Sequence, residues 1–229
     1  MRFFVVLFAM LAGLGVLPAQ AQSTDTILAP TAAPSPTDKE NLWILDLSTG
    51  GRVTILLRPD MAPHMVERIK ILTRRHFYDG TIFHRVIEGF MAQGGDPKGD
   101  GTGGSDLPDV PAEFSHLPHV RGAVAAAREG APAEADEATK KKAENSANSQ
   151  FFIMFTPRFG LDRNYTVFGR VISGMEYVDA IPRGEPPAQP ARIVHAWIGS
   201  DNPPPYEAPK TELPPGETAV TLPGTAPKQ

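Results

Sequence analysis

Between Leu42 and Gly199 the chain passes through eight short β-rich segments broken by turn residues, with only two amphipathic helical stretches among them. No other feature constrains the fold as tightly. Short strands at close spacing, set off by Gly, Pro, Asn and Asp, are the signature of all-β architectures, and this count predicts a closed eight-stranded antiparallel β-barrel capped by two α-helices. The first two segments, 42–47 and 52–57, flank Ser48-Thr49-Gly50-Gly51, a hairpin signal. Pro63 is placed for the first turn of a helix reaching about residue 75, in which Val66, Ile69 and Leu72 or Thr73 recur at helical spacing. Residues 83–96 read as strand, Gly89, strand. Residues 122–127 read as a buried strand of small residues, and 150–155, 166–172 and 193–198 as further strands. A short helix over 174–181 puts Met175, Val178 and Ile181 on one side. The Ala, Glu and Lys run at 134–144 reads as one short solvated helix.

The two ends differ in kind from this body. Arg2, an apolar or small run from Phe3 to Leu17 and then Pro18-Ala19-Gln20-Ala21 form the pattern of a secretory signal peptide over residues 1–21, cut after Ala21. A run of about 15 apolar residues is short against the roughly 20 that span a bilayer, so no stable membrane insertion is expected after cleavage. Export follows, with the periplasm as the expected compartment. Many of the 24 prolines crowd the ends, three of them in the Ala/Thr/Pro-rich stretch 22–40 and eight in the last thirty residues. Such segments cannot bury enough surface to offset their ordering entropy, so 22–40 is read as a flexible linker, 41–200 as the folded domain and 201–229 as a disordered tail.

Composition excludes several functions. A net charge of -4, with no Lys/Arg cluster dominating a folded segment, leaves no footprint for nucleic acid. Cysteine is absent, which removes disulfides, thiol catalysis and Cys-ligated metal. The run Gly99 to Gly104 matches G-x-G-x-x-G, but Ser105-Asp106-Leu107-Pro108 does not open the helix that a dinucleotide site needs. The stretch from Asp96 hints at a calcium loop, yet Lys98 sits at a ligand position and Leu107 where a bidentate Glu belongs. His116 and His119 form a pair too small for zinc. No cofactor and no metal is expected.

Chemistry concentrates in residues 83–96. One permanent cation, Arg85, one amide, Gln93, and two large apolar groups, Phe90 and Met91, fall within nine residues of each other. Strand alternation puts Arg85, Met91 and Gln93 on one face, with Phe90 joining them if Gly89 makes a bulge. His84 then points to the opposite face and reads as a structural histidine bonded to backbone. In 150–155, Phe151, Ile153 and Phe155 share the core face, while Gln150, Phe152 and Met154 share the other. Such a set holds no nucleophile and no paired acid and base. One reaction needs neither, namely rotation about an Xaa-Pro peptide bond, whose barrier is amide resonance. A guanidinium can donate to the prolyl nitrogen once its lone pair localises, an apolar pocket of Phe90, Met91 and Phe152 can take the proline ring, and Gln93 can hold the substrate carbonyl.

The string F-H-R-V-I-x-G-F-M-x-Q-G-G-D at 83–96, together with Gln150-Phe151-Phe152-Ile153 and Val167-Phe168-Gly169-Arg170-Val171, resembles the cyclophilin-type peptidyl-prolyl cis-trans isomerases. The resemblance spans about Leu42 to Gly199 and implies the barrel with two capping helices. It implies that Arg85, Gln93 and Phe90 are catalytic and that Met91 and Phe152 complete the proline pocket. Gln150 would contact substrate, and Ala127 and Arg128 would stand where backbone binds the residue before proline. Leu161 matches the pocket leucine, and Tyr165 replaces a pocket histidine. Gly160 stands where the family has a tryptophan, with Phe159 one place earlier, which implies weak binding of cyclosporin. The expected partners are unfolded or loop Xaa-Pro segments of exported polypeptides, met by a monomer. The alternative is a binding module or holdase that uses the same groove without turnover.

Overall fold

The computed structural model describes residues 32–207. The candidate signal segment, the linker as far as residue 31 and the tail beyond residue 207 lie outside the described residues. Eight antiparallel strands run in the order β3-β4-β6-β5-β7-β2-β1-β8: β1 (Leu42–Leu47), β2 (Gly51–Leu57), β3 (Arg85–Ile87), β4 (Met91–Gly94), β5 (Ala123–Ala126), β6 (Phe151–Met154), β7 (Val167–Ser173) and β8 (Ile193–Ile198). Three helices accompany them: α1 (Pro63–Arg74), α2 (Glu137–Glu144) and α3 (Met175–Asp179). Among the described residues no helix is long and apolar enough to cross a membrane.

The sheet curls into a half-barrel and its ladder does not close, which corrects the expectation of a closed barrel. No ladder joins the edge strands β3 and β8, and beside them only isolated bridges occur, Ile82 to Arg192 and Val86 to Gly184. The reason lies in the chain that would have to close the gap. Residues 182–190 contain Pro182, Pro186, Pro187 and Pro190, none of which can donate to a ladder. Among the described residues there are three helices rather than the two caps expected, and the third, α2, falls within the 134–144 run read from sequence as a short solvated helix. That helix buries only Ala143, is capped by the Asp136 side chain accepting from the Thr139 amide, and is solvated along the rest of its length.

The core collects where the curl meets α1. Trp43 is fully buried, with the rings of Phe151 and Tyr78 centred 4.9 and 5.3 Å from its own. Strand β2 alternates buried Val53, Ile55 and Leu57 with half-exposed neighbours. Helix α1 turns Met65, Val66, Ile69 and Leu72 inward onto them. Each such side chain contributes roughly 1.5–3 kcal/mol on leaving water.

Both ends of the domain are more ordered than their composition suggests. Residues Lys39–Asn41 form a 3-10 turn capped by Asp38, and Tyr206 donates from its hydroxyl to the Leu47 carbonyl at 3.1 Å. Glu40 joins the two ends. It accepts from Arg74 at 3.0 Å and from the Ser200 hydroxyl at 2.6 Å, and Arg74 also holds Asp201. Burial alone would raise the Glu40 pKa, but hydrogen bonds from Ser200, Arg74 and Lys70 bring it down to about 2.

Candidate active site

Strand register builds the site. Arg85 lies opposite Gln93, Gln93 opposite Phe152, and Phe152 opposite Ala125, so one row crosses β3, β4, β6 and β5. Side chains of one row share a face of the sheet. The next row on the same face runs from Ile87 to Met91 to Met154. Met91, Ala125, Phe152, Met154 and Val167 form a second buried apolar cluster, separate from the main core, with Phe90, Ala127, Leu161 and Tyr165 packed against it. Phe151 and Ile153 belong to the main core instead, as the alternation requires.

This cluster floors a cavity of about 260 Å³ lined by Arg85, Phe90, Met91, Gln93, Ala127, Arg128, Phe152, Leu161 and Tyr165. Nine of the ten residues expected at the site from sequence are therefore brought together. The tenth, Gln150, lines the neighbouring polar cavity of about 420 Å³, which shares Gln93, Ala127 and Arg128 with the first. The two adjoin through these three residues as one groove, the first part over an apolar floor and the second lined mainly by polar groups. Around the Gly160 Cα the space is open, and Phe159 beside it is 64% exposed, so no aromatic side chain closes the groove there.

Phe90 does not reach the site through a bulge, which corrects the sequence expectation. Residues 87 to 90 form the hairpin turn between β3 and β4, closed by the Phe90 amide donating to the Ile87 carbonyl at 3.0 Å, and pairing on either side keeps its register. Gly89 sits at φ +64, in the left-handed region where a side chain is strained. The Phe90 carbonyl then accepts from the Phe155 amide at 2.9 Å.

Polar groups at the other end are held by a loop wound on one carboxylate. Asp96, 1% exposed, accepts from the amides of Lys98, Asp100 and Gly101 at 2.8, 3.1 and 2.6 Å. Burial alone would raise its pKa, but these backbone donors and Gly103 bring it below the ordinary range. Gly103 passes so close that a Cβ there would lie 2.0 Å from an Asp96 oxygen. The carbonyls of Gly101 and Gly103 in turn accept from Gln150 Nε2, at 3.0 and 2.8 Å, and Gln150 Oε1 accepts from Gln93 Nε2 at 2.9 Å. Gln93 keeps one N–H and its carbonyl oxygen for a ligand.

Three residues of this region, His119, Asp162 and Glu185, escape a reading of the sequence. His119 is fully buried, its ring stacked with that of Phe152 at 6.1 Å, and its Nδ1 lies 2.8 Å from Asp162 Oδ1. Glu185 accepts from Arg85 Nε at 2.7 Å. The partners are 43 and 100 positions apart in sequence, and nothing in local pattern joins them. Arg128 donates to the Asn164 and Glu129 carbonyls, and its guanidinium lies 4.6 Å from the Tyr165 ring centre.

His84 is buried, but it has no backbone partner, and neither ring nitrogen is hydrogen-bonded. Burial lowers its pKa below 6.5. Burial lowers that of His119 as well, with Asp162 opposing the shift. A histidine whose folded pKa lies below its unfolded one contributes full stability above the unfolded value, near 6.5, and loses it as pH falls from there toward the folded value. The thermal midpoint should therefore drop between pH 7.5 and 5.5, and less steeply in a His84→Phe variant. A flat midpoint across that range in the wild type would contradict this.

Among the described residues no three His, Cys, Asp or Glu are grouped to hold a metal. Comparison with known proteins agrees on one family. A family model described as "Cyclophilin type peptidyl-prolyl cis-trans isomerase/CLD" matches residues 44–198. A probable peptidyl-prolyl cis-trans isomerase of Brucella suis is 46% identical over 183 residues, covering 73% of this chain and 87% of the relative. Peptidyl-prolyl cis-trans isomerase B of Bacillus subtilis is 36% identical over 141 residues, covering 61% and 89%. Among solved structures, a cyclophilin from Hirschia baltica superposes with a TM-score of 0.63 at 29% identity, covering 73% of this chain and 77% of that one. A cyclophilin-type isomerase of Cryptosporidium parvum, crystallised in the presence of the dipeptide Ala-Pro, gives 0.60 at 26% identity, covering 69% and 98%.

Proposed function

Because the chain belongs to the cyclophilin-type peptidyl-prolyl cis-trans isomerase family and is such an isomerase, we propose that it rotates Xaa-Pro bonds of exported polypeptides in this groove, with Arg85 as the catalytic donor. The observation that carries the reading is the row Arg85, Gln93, Phe152, which faces a single apolar-floored cavity. The barrier to rotation is about 18–20 kcal/mol and arises from delocalisation of the nitrogen lone pair. In the twisted state that lone pair is localised and can accept a hydrogen bond, so a guanidinium placed over it stabilises that state alone.

One charge-assisted hydrogen bond supplies about 1.5–3 kcal/mol, or roughly 10- to 150-fold in rate. The remainder comes from the cavity. Phe90, Met91 and Phe152 take the proline ring, and their apolar surface displaces the water that favours the planar, more polar ground state. Gln93 holds the carbonyl on one side of the rotating bond, while Ala127 and Arg128, at the junction of the two cavities, receive the residue before proline.

The Cryptosporidium protein was crystallised in the presence of Ala-Pro, a dipeptide of the class proposed here as ligand. The test is catalysis of cis-trans exchange in an Xaa-Pro peptide, followed by NMR, and a protein that leaves the exchange rate at its uncatalysed value would defeat the reading. The export half rests on the pattern Phe3 to Ala21 and is checked separately. Protein recovered from the periplasm should begin at Gln22, and retention of Met1 would count against it.

A further inference from the structure

We infer that Glu185 is the positioning residue for the catalytic guanidinium, an inference that rests on the role proposed for Arg85. Arg85 stands on an edge strand of three residues with its side chain 43% exposed. At that exposure packing fixes the long side chain only in part. Gln93, its neighbour across the strands, bonds Gln150 and makes no hydrogen bond to Arg85. Among the described residues, the one hydrogen bond made by the Arg85 side chain is Nε to Glu185 Oε2, at 2.7 Å.

Glu185 is itself held in place. Val86 and Gly184 exchange both backbone hydrogen bonds at 2.8 Å, which registers the 184–185 segment against β3 and sets Glu185 beside Arg85. Gly184 has φ +148, and a Cβ there would fall 2.5 Å from the Pro187 Cα, so the segment takes this path only with glycine. Glu185 lies outside the cavity lining and acts through Arg85 alone. A tether at Nε leaves the four N–H groups of the two terminal nitrogens unspent and sets the plane in which they point.

The carboxylate has two opposed effects. It restricts the guanidinium to one orientation, which favours the twisted state, and it offsets part of the positive charge that the prolyl nitrogen meets. With Glu185 52% exposed, water screens much of the second effect, whereas the geometric restraint is unaffected by screening. Restraint therefore wins, at the size of an exposed pair.

The experiment measures Xaa-Pro exchange for the wild type, Glu185→Ala, Glu185→Gln, Arg85→Ala and the double variant. Glu185→Ala should lower kcat about two- to five-fold with KM and thermal midpoint unchanged. Glu185→Gln keeps a neutral acceptor and should recover most of that loss. In the Arg85→Ala background, removing Glu185 should have no further effect. The Arg85 Nε–H resonance should exchange with water faster in Glu185→Ala than in the wild type. Equal or higher activity in Glu185→Ala, or a further loss in the double variant, overturns the inference. If the Arg85→Ala variant turns over normally, the reading of Arg85 fails first, and the two failures are thereby told apart.

Discussion

Arg85→Ala is expected to lower kcat/KM for an Xaa-Pro peptide by roughly 10- to 150-fold, the worth of one hydrogen bond from a charged donor to the prolyl nitrogen. Fold stability should scarcely change. Arg85 is 43% exposed and its pair with Glu185 is an exposed ion pair, a class worth about 0–1 kcal/mol. The variant should keep a residual acceleration, because the apolar floor of Phe90, Met91 and Phe152 is untouched. Arg85→Lys should recover little of the loss. An ammonium is a point charge with no Nε to take the Glu185 tether and no planar fork to aim. Exchange and thermal unfolding measured on the same samples check both halves, and an Arg85→Ala variant with unimpaired turnover would remove the guanidinium from the mechanism. One that still protects an unfolding client from aggregation would show a binding role separate from catalysis.

The second large effect is expected at the other end of the groove, at Asp96. Asp96→Ala leaves the amides of Lys98, Asp100 and Gly101 without their acceptor. Loss of several charge-assisted bonds at a buried carboxylate should cost about 3–5 kcal/mol of stability. Function should suffer by a different path. The Gly101 and Gly103 carbonyls hold Gln150, and Gln150 holds Gln93, so a loosened loop should raise KM more than it lowers kcat. Asp96→Asn retains one acceptor oxygen and should fall between. Gly103→Ala tests the same loop without touching its charge, because its Cβ would meet Asp96. Denaturant unfolding with exchange kinetics decides the matter, and wild-type stability in Asp96→Ala would refute the account.

The contrast between these two sites shows what local pattern can carry. Alternation in residues 150–155 separates Phe151 from Phe152 because a strand has period two, and the structure places them in different clusters accordingly. The same rule puts Arg85, Met91 and Gln93 on one face. Phe90 was the residue that alternation handled less well. A glycine between two strand segments suits a bulge or a turn equally, and only the Phe90 to Ile87 hydrogen bond decides for the turn. Asp96 opens a glycine-rich stretch in which the sequence offers only a failed hint of a calcium loop, and its several amide partners depend on a backbone path that composition does not encode. Glu185 and His119 lie further out of reach. Each meets its partner only after strands and loops remote in sequence have come together. The ladder's failure to close turns on where four prolines fall relative to an edge, which is a property of the assembled sheet.

The pairing of Glu40 with Ser200, and of Arg74 with both Glu40 and Asp201, brings the two ends of the strand-bearing segment, residues 40 and 200–201, to one point. A polypeptide that arrives and departs at the same place is a plug-in module, since it can be spliced into a loop of a host protein without spreading the host's ends. By the same geometry, a short linker from residue 200 to residue 41 would allow the chain to be reopened in the solvated stretch around α2, giving a circular permutant whose strand pairing and groove are unchanged.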